Sequence, residues 1–230
     1  MRYKRVWYYQ TMSDERQQLI DLYTRLEKLA GTLPLADTPE DIVPGEGSPT
    51  AEILCIGEAP GAQEQKERRP FVGRSGKLLR KTLTESGLEP AELYIANIVK
   101  ARPPENRDPS LDEIEAYRPF LEQEIEIIKP TLIVTLGRFS MAAFLPDARI
   151  SQVHGKLHKV KYSMFGDNHG EENQLEAEAQ PVTERMVYVL PMYHPAAGLR
   201  NGTVLKAFKE DIAKIPKILE WLHMKNALAL

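Results

Sequence analysis

Ile53-Leu54-Cys55-Ile56-Gly57-Glu58-Ala59-Pro60-Gly61 is the stretch on which the fold turns. Four consecutive apolar residues suit a strand buried on both faces, as strands of parallel sheets are. The glycine that follows ends the run where a loop must begin. The same pattern recurs downstream: Leu93–Val99 is a second apolar run, Leu132–Gly137 a third, and Val187–Leu190 a fourth that stops at Pro191. Helical periodicity fills the intervals. Residues 14–31 carry Leu19, Ile20, Leu22, Tyr23, Leu26 and Leu29 at helical spacing. A helix from about Ser75 to Ser86 ends at Gly87, a glycine suited to a C-terminal cap. Ser110 and Glu113 form a capping box for a helix that Pro130 stops after Lys129. A short helix to Leu145 follows the third strand, and a last helix over 203–225 is expected to kink at Pro216. Strands alternating with helices predict a three-layer α/β/α sandwich around a central four-stranded parallel sheet. Such sheets build their sites at the carboxyl ends of the strands.

A chain of 230 residues with 42% hydrophobic content can bury one sizeable core, so one domain over 1–230 is expected. Residues 1–13 form an N-terminal extension, and the acidic, polar stretch 167–183 is expected to be a hairpin insertion; neither is assigned chemistry. The net charge of −3 does not itself point to nucleic acid; its distribution matters more than the sum. Between Lys66 and Lys81 stand Lys66, Arg68, Arg69, Arg74, Lys77, Arg80 and Lys81 against Glu67 alone. A patch of that kind can hold phosphates on an acidic protein. Cys55 is the only cysteine, which excludes a disulfide framework and an all-cysteine metal site. No apolar stretch approaches the roughly 20 residues of a membrane span. Met1–Tyr9 is basic and aromatic without the apolar centre of a signal peptide, so a cytoplasmic location is expected.

Three segments carry a resemblance: Gly57-Glu58-Ala59-Pro60-Gly61, Arg69-Pro70-Phe71-Val72-Gly73-Arg74-Ser75-Gly76, and Tyr193-His194-Pro195. In this order and at this separation they resemble the uracil-DNA glycosylase superfamily, most closely its thermophile-type group, family 4. The resemblance covers about residues 14–220 and implies excision of uracil from DNA. That chemistry takes the base out of the stack into a pocket and expels it as an anion while water attacks the sugar. The resemblance makes Phe71 the ring on which the flipped base stacks and Asn97 the reader of its edge. An amide inside an apolar strand must satisfy its hydrogen-bonding groups, which fits that role. His194, held extended by Pro195, is expected to donate to the uracil oxygen as charge develops, as an oxyanion hole does. Glu58 and Glu64 fall at catalytically relevant acidic positions; either would orient water or stabilise a cationic sugar, and Glu64 is expected to hold the water. The backbone at Gly57 can approach the base closely.

The helix start Gly73-Arg74-Ser75-Gly76-Lys77 is not a nucleotide-binding loop, which requires a glycine where Phe71 stands and Ser or Thr where Leu78 stands. Arg74, Ser75 and Lys77 instead suit contact with the DNA backbone. In the superfamily the loop after His194 carries a wedge that fills the gap left by the flipped base. Here Gly198 stands where members often have a bulkier residue, leaving Leu199 or Arg200 for that task.

The chain departs from family 4 at one feature. Members usually hold a four-iron, four-sulfur cluster on four cysteines, and those positions correspond to Ala30, Leu33, Ala101 and Tyr117, with flanking residues intact. Without thiolates no such cluster forms, so no cofactor and no metal are expected, and the four residues should gather as a small apolar patch. The expected partner is uracil-containing DNA, met by a monomer without membrane contact. A non-catalytic paralogue that binds uracil or single-stranded DNA is the alternative. A nucleoside hydrolase is a third, against which the basic stretch and the wedge loop count.

Overall fold

Ile53–Gly57, buried at every position, lies at the centre of a six-stranded sheet in the computed structural model, which describes residues 13–163 and 184–228. The expected insertion 167–183 and all of the N-terminal extension except Ser13 lie outside those residues. The strands are β1 (Glu46–Gly47), β2 (Ile53–Gly57), β3 (Leu93–Asn97), β4 (Leu132–Leu136), β5 (His158–Ser163) and β6 (Glu184–Met192), in the order β1-β3-β2-β4-β6-β5. β3, β2, β4 and β6 run parallel and are the four expected strands.

The edges correct the four-stranded expectation. β1 pairs antiparallel with β3, and β5 antiparallel with β6. β1 is too short to show any periodicity. β5 alternates exposed Lys159 and Lys161 with half-buried Val160 and buried Tyr162, a one-sided pattern that suits an edge. β6 also continues past the expected stop at Pro191. Pro191 stands in register with Thr135 of β4, and its carbonyl accepts from Gly155 N at 2.8 Å.

The helices are α1 (Asp14–Lys28), α2 (Ala62–Glu67), α3 (Arg74–Glu85), α4 (Leu111–Ile128), α5 (Arg138–Ala142), α6 (Ile150–Val153), α7 (Pro195–Gly198), α8 (Gly202–Ile212) and α9 (Ile215–Ala227). Alternation along β2 divides the core. Leu54 and Ile56 pack with Leu22, Leu26, Tyr117 and Leu121 of α1 and α4, whereas Ile53 and Cys55 face Leu79, Leu83, Phe208 and Leu222 of α3, α8 and α9. That makes the three-layer α/β/α sandwich. The last expected helix is instead two. Pro216 sits in the first turn of α9, where its missing N–H costs no hydrogen bond. Ser110 and Glu113 form the expected capping box, Ser110 N donating to Glu113 at 2.8 Å and Glu113 N to Ser110 Oγ at 3.2 Å.

A buried polar network joins α1 to α4. Lys100 and Glu124 form an ion pair with both side chains fully buried. Glu124 also accepts from the Tyr23 hydroxyl, which in turn accepts from Gly45 N at 2.6 Å.

Candidate active site

All four parallel strands open into one cleft of about 540 Å³ at their carboxyl ends. β2 ends in Gly57 and β3 in Asn97, which stand opposite each other in register. β4 leads to Gly137 and β6 to His194. Phe71 enters from the turn between α2 and α3, and its side chain is buried. A Cβ at Gly57 would lie 2.5 Å from Phe71 Cζ and 2.6 Å from Cε2, and would also strike Asn97 Oδ1. Glycine at 57 is therefore what lets ring and amide converge. Asn97 is buried, yet no described residue hydrogen-bonds its side-chain amide, which opens on the cleft. Its donor and acceptor are thus left to a ligand or to water in the cleft.

His194 closes the opposite wall, its ring centroid 5.9 Å from that of Phe71. Its Nδ1 accepts from Ala196 N at 3.2 Å. A nitrogen that accepts carries no proton, so the neutral ring bears its proton on Nε2. Burial lowers the His194 pKa to about 4, with Arg200 adding to the effect and Glu64 opposing it. Near pH 7 the side chain is thus a neutral donor. Gly137, at φ +101°, packs against it: a Cβ there would sit 3.1 Å from His194 Cβ.

The two carboxylates differ. Glu64 is buried, and its Oε1 accepts from Val72 N at 3.1 Å and Gly73 N at 2.8 Å, bracing the Phe71 turn. Glu58, half-buried just after β2, lines the cleft. Burial and, less strongly, Asp108 raise its pKa to about 7 against the opposing Arg138. Among the residues expected on DNA, Ser75 lines the main cleft, as does Arg200 at its rim. Leu199 is 42% exposed beside Arg200. Gly198 is buried against α8, where a Cβ would stand 3.3 Å from Leu205 Cα, so a bulkier residue there would push the helix away. Exposed Arg74 and Lys77 line a second groove, on the outer side of the Phe71 turn. They make no ion pair among the described residues. Much of the basic stretch around them is engaged in ion pairs, Arg68 with Glu27, Arg69 and Arg80 with Glu46, and Lys81 with Glu85.

Sequence reasoning missed one wall. Pro103, Asn106 and Asp108, from the loop after β3, and Arg138, after β4, also line the cleft. Their signal was position alone, since both segments follow the carboxyl end of a strand. His154, outside the motif segments, bonds Asp211 at 2.7 Å and lies 4.5 Å, ring to ring, from Tyr193 of the cleft.

The four positions where the resemblance implies iron–sulfur ligands do not fit such a cluster. Ala101 and Tyr117 are fully buried in the α1/α4 core, and Leu33 packs against it. The Tyr117 hydroxyl donates to the Pro34 carbonyl at 2.7 Å. Half-buried Ala30 does not belong to that apolar cluster. Cys55, the one thiol, is sealed in β2, where burial pushes its pKa up to about 12. Among the described residues no group of three His, Cys, Asp or Glu side chains is placed to hold a metal ion, and no helix is long and apolar enough to cross a membrane.

A family model described as the uracil DNA glycosylase superfamily matches residues 44–218. Similar proteins include a type-4 uracil-DNA glycosylase of Sulfurisphaera tokodaii, 43% identical over 76% of this chain and 74% of the relative. One of Saccharolobus solfataricus is 39% identical over 78% and 77%, and one of Archaeoglobus fulgidus 36% identical over 80% and 85%.

Proposed function

The chain belongs to the uracil-DNA glycosylase superfamily, and from that premise we propose that it hydrolyses the N-glycosidic bond of deoxyuridine in DNA, releasing uracil and leaving an abasic site. The observation that carries this reading is Asn97, whose side-chain amide opens on the cleft beside the Phe71 ring with no partner among the described residues. A flipped uracil stacked on Phe71 would give that amide a donor and an acceptor on its edge. Gly57 leaves room for the Phe71 ring beside that amide.

As the bond from base to sugar lengthens, negative charge collects on the base, and the neutral His194 donates from Nε2 to its oxygen. A preorganised donor of this kind is worth about 2.7–4 kcal/mol of barrier. Water then attacks the sugar carbon. Glu58 is the better placed to take the water's proton, because one oxygen of Glu64 is already committed to the Phe71 turn. The proton finally neutralises the departing uracil, so water and nucleotide balance uracil and abasic sugar. Arg74, Ser75 and Lys77 hold the DNA backbone, while Leu199 or Arg200 fills the gap in the stack.

We further propose that the chain forms a single glycosylase-like domain that works as a monomer in the cytoplasm, and without an iron–sulfur cluster, Tyr117 and Ala101 filling that space. Release of free uracil from a DNA strand carrying one uracil tests the reading, with Asn97→Ala beside the native protein. Native release that falls at least tenfold in the variant is expected. Salt-sensitive DNA binding with no released base would instead favour a purely binding paralogue.

A further inference from the structure

Phe71 has φ +54°, a left-handed backbone that a bulky residue adopts only when its surroundings hold it there. Its turn is gripped from two sides. Glu64 takes the N–H groups of Val72 and Gly73 on one side. On the other, Arg80 of α3 takes the carbonyls, donating from Nε to Phe71 O at 3.1 Å and from a terminal nitrogen to Pro70 O at 2.9 Å. The guanidinium is itself held by Glu46 at 2.7 Å, whose second oxygen accepts from Arg69 at 2.6 Å. Burial alone would raise the Glu46 pKa, but Arg69 and Arg80 outweigh it and hold the carboxyl below its usual range. Glu46 lies on β1 opposite Ile95, two residues before Asn97 on β3. The chain of contacts thus runs from the strand that carries the buried amide to the turn that carries the ring.

We propose that Glu46 and Arg80 are positioning residues for uracil excision, fixing the Phe71 ring relative to Asn97 without touching the substrate. The inference rests on the glycosylase reading above. Arginine suits the task because its planar fork reaches two carbonyls and a carboxylate at once, which lysine's single ammonium cannot match in geometry. At 37% exposure for Arg80 and 33% for Glu46, the pair adds little to stability. Its effect should therefore appear in the rate. The rival assignment is a phosphate contact, because Arg80 shares the outer groove with Arg74 and Lys77.

Single-turnover uracil release by the native protein, Arg80→Ala, Arg80→Lys, Phe71→Ala and the Phe71→Ala/Arg80→Ala double variant decides between them. Arg80→Ala should slow release by roughly tenfold to a hundredfold, the scale of an ångström's misplacement. Arg80→Lys should recover part of the loss. The double variant should be no slower than Phe71→Ala alone, because Arg80 acts through that ring. The salt dependence of DNA binding should keep its slope. Losses that multiply in the double variant, or a salt slope reduced by about one phosphate contact, would overturn the proposal. If Arg80→Ala fails to fold, Glu46→Gln carries the same test, with a smaller loss that must likewise vanish in the Phe71→Ala background. Native protein that releases no uracil would overturn the glycosylase reading and this inference together; active native protein with multiplicative losses would overturn this inference alone.

Discussion

Replacing Gly57 by alanine should abolish most of the activity while leaving a folded protein. The added carbon would stand 2.5 and 2.6 Å from two atoms of the Phe71 ring, whereas carbon atoms in contact settle at about 3.5–4.0 Å. Relief requires ring or strand end to retreat by about 1 Å. Either movement separates the stacking surface from Asn97. A displacement of that size costs roughly a hundredfold in rate, or about 2.7 kcal/mol of barrier. Overpacking should also cost about 1–3 kcal/mol of stability, which a thermal melt would register as a lowered but cooperative transition. The rate is read by single-turnover excision from a strand with one uracil, and affinity by binding to uracil-free DNA. Affinity should be unchanged, since Arg74 and Lys77 lie outside the cleft. A folded Gly57→Ala protein with native rates would refute the convergence of ring, amide and bare backbone as the basis of the pocket.

The pH dependence should carry the signature of Glu58. With its carboxyl titrating at about 7, excision should fall as the pH drops below that value, and Glu58→Gln should remove this limb from the pH–rate profile. Asp108→Asn, which removes a neighbouring negative charge, should move it to lower pH. His194, at about 4, should contribute no limb near its ordinary 6.5. Folding obeys the same linkage: a carboxyl raised from 4.5 to about 7 binds more protons in the native chain, so its contribution to stability falls as pH rises through that window, measurable by urea titration. Lys100→Met should destabilise the protein by about 3–5 kcal/mol in urea unfolding, because Glu124 would remain buried without its cation. Arg74→Ala and Lys77→Ala should each flatten the salt dependence of DNA binding by about one unit of slope in a titration over ionic strength, with little change in the rate from saturated complex.

What the sequence made legible follows from how local each signal is. The apolar run into Gly57, the Ser110–Glu113 box and the Gly87 stop involve neighbours in the chain, and each stands where expected. Phe71, Asn97 and His194 were singled out through the family resemblance, and the parallel sheet is what brings the segments that carry them to one cleft. β1 was not, since two residues hold no period. The kink expected at Pro216 became a helix start because proline fits a first turn better than an interior. The hold of Arg80 and Glu46 on the Phe71 turn spans 34 positions in sequence between the two partners, and no local pattern predicts it. Asp108 and Arg138 were missed for a different reason: charged loop residues are common, and only the surrounding fold brings these two to Glu58.

A labelled DNA strand carrying one uracil, incubated with protein in chelator and then treated with alkali, reads base excision itself, with His194→Ala alongside. The native protein should break the strand at the uracil, and the variant should do so roughly a hundredfold to a thousandfold more slowly. Intact strands from folded native protein, single- or double-stranded, would contradict the glycosylase reading.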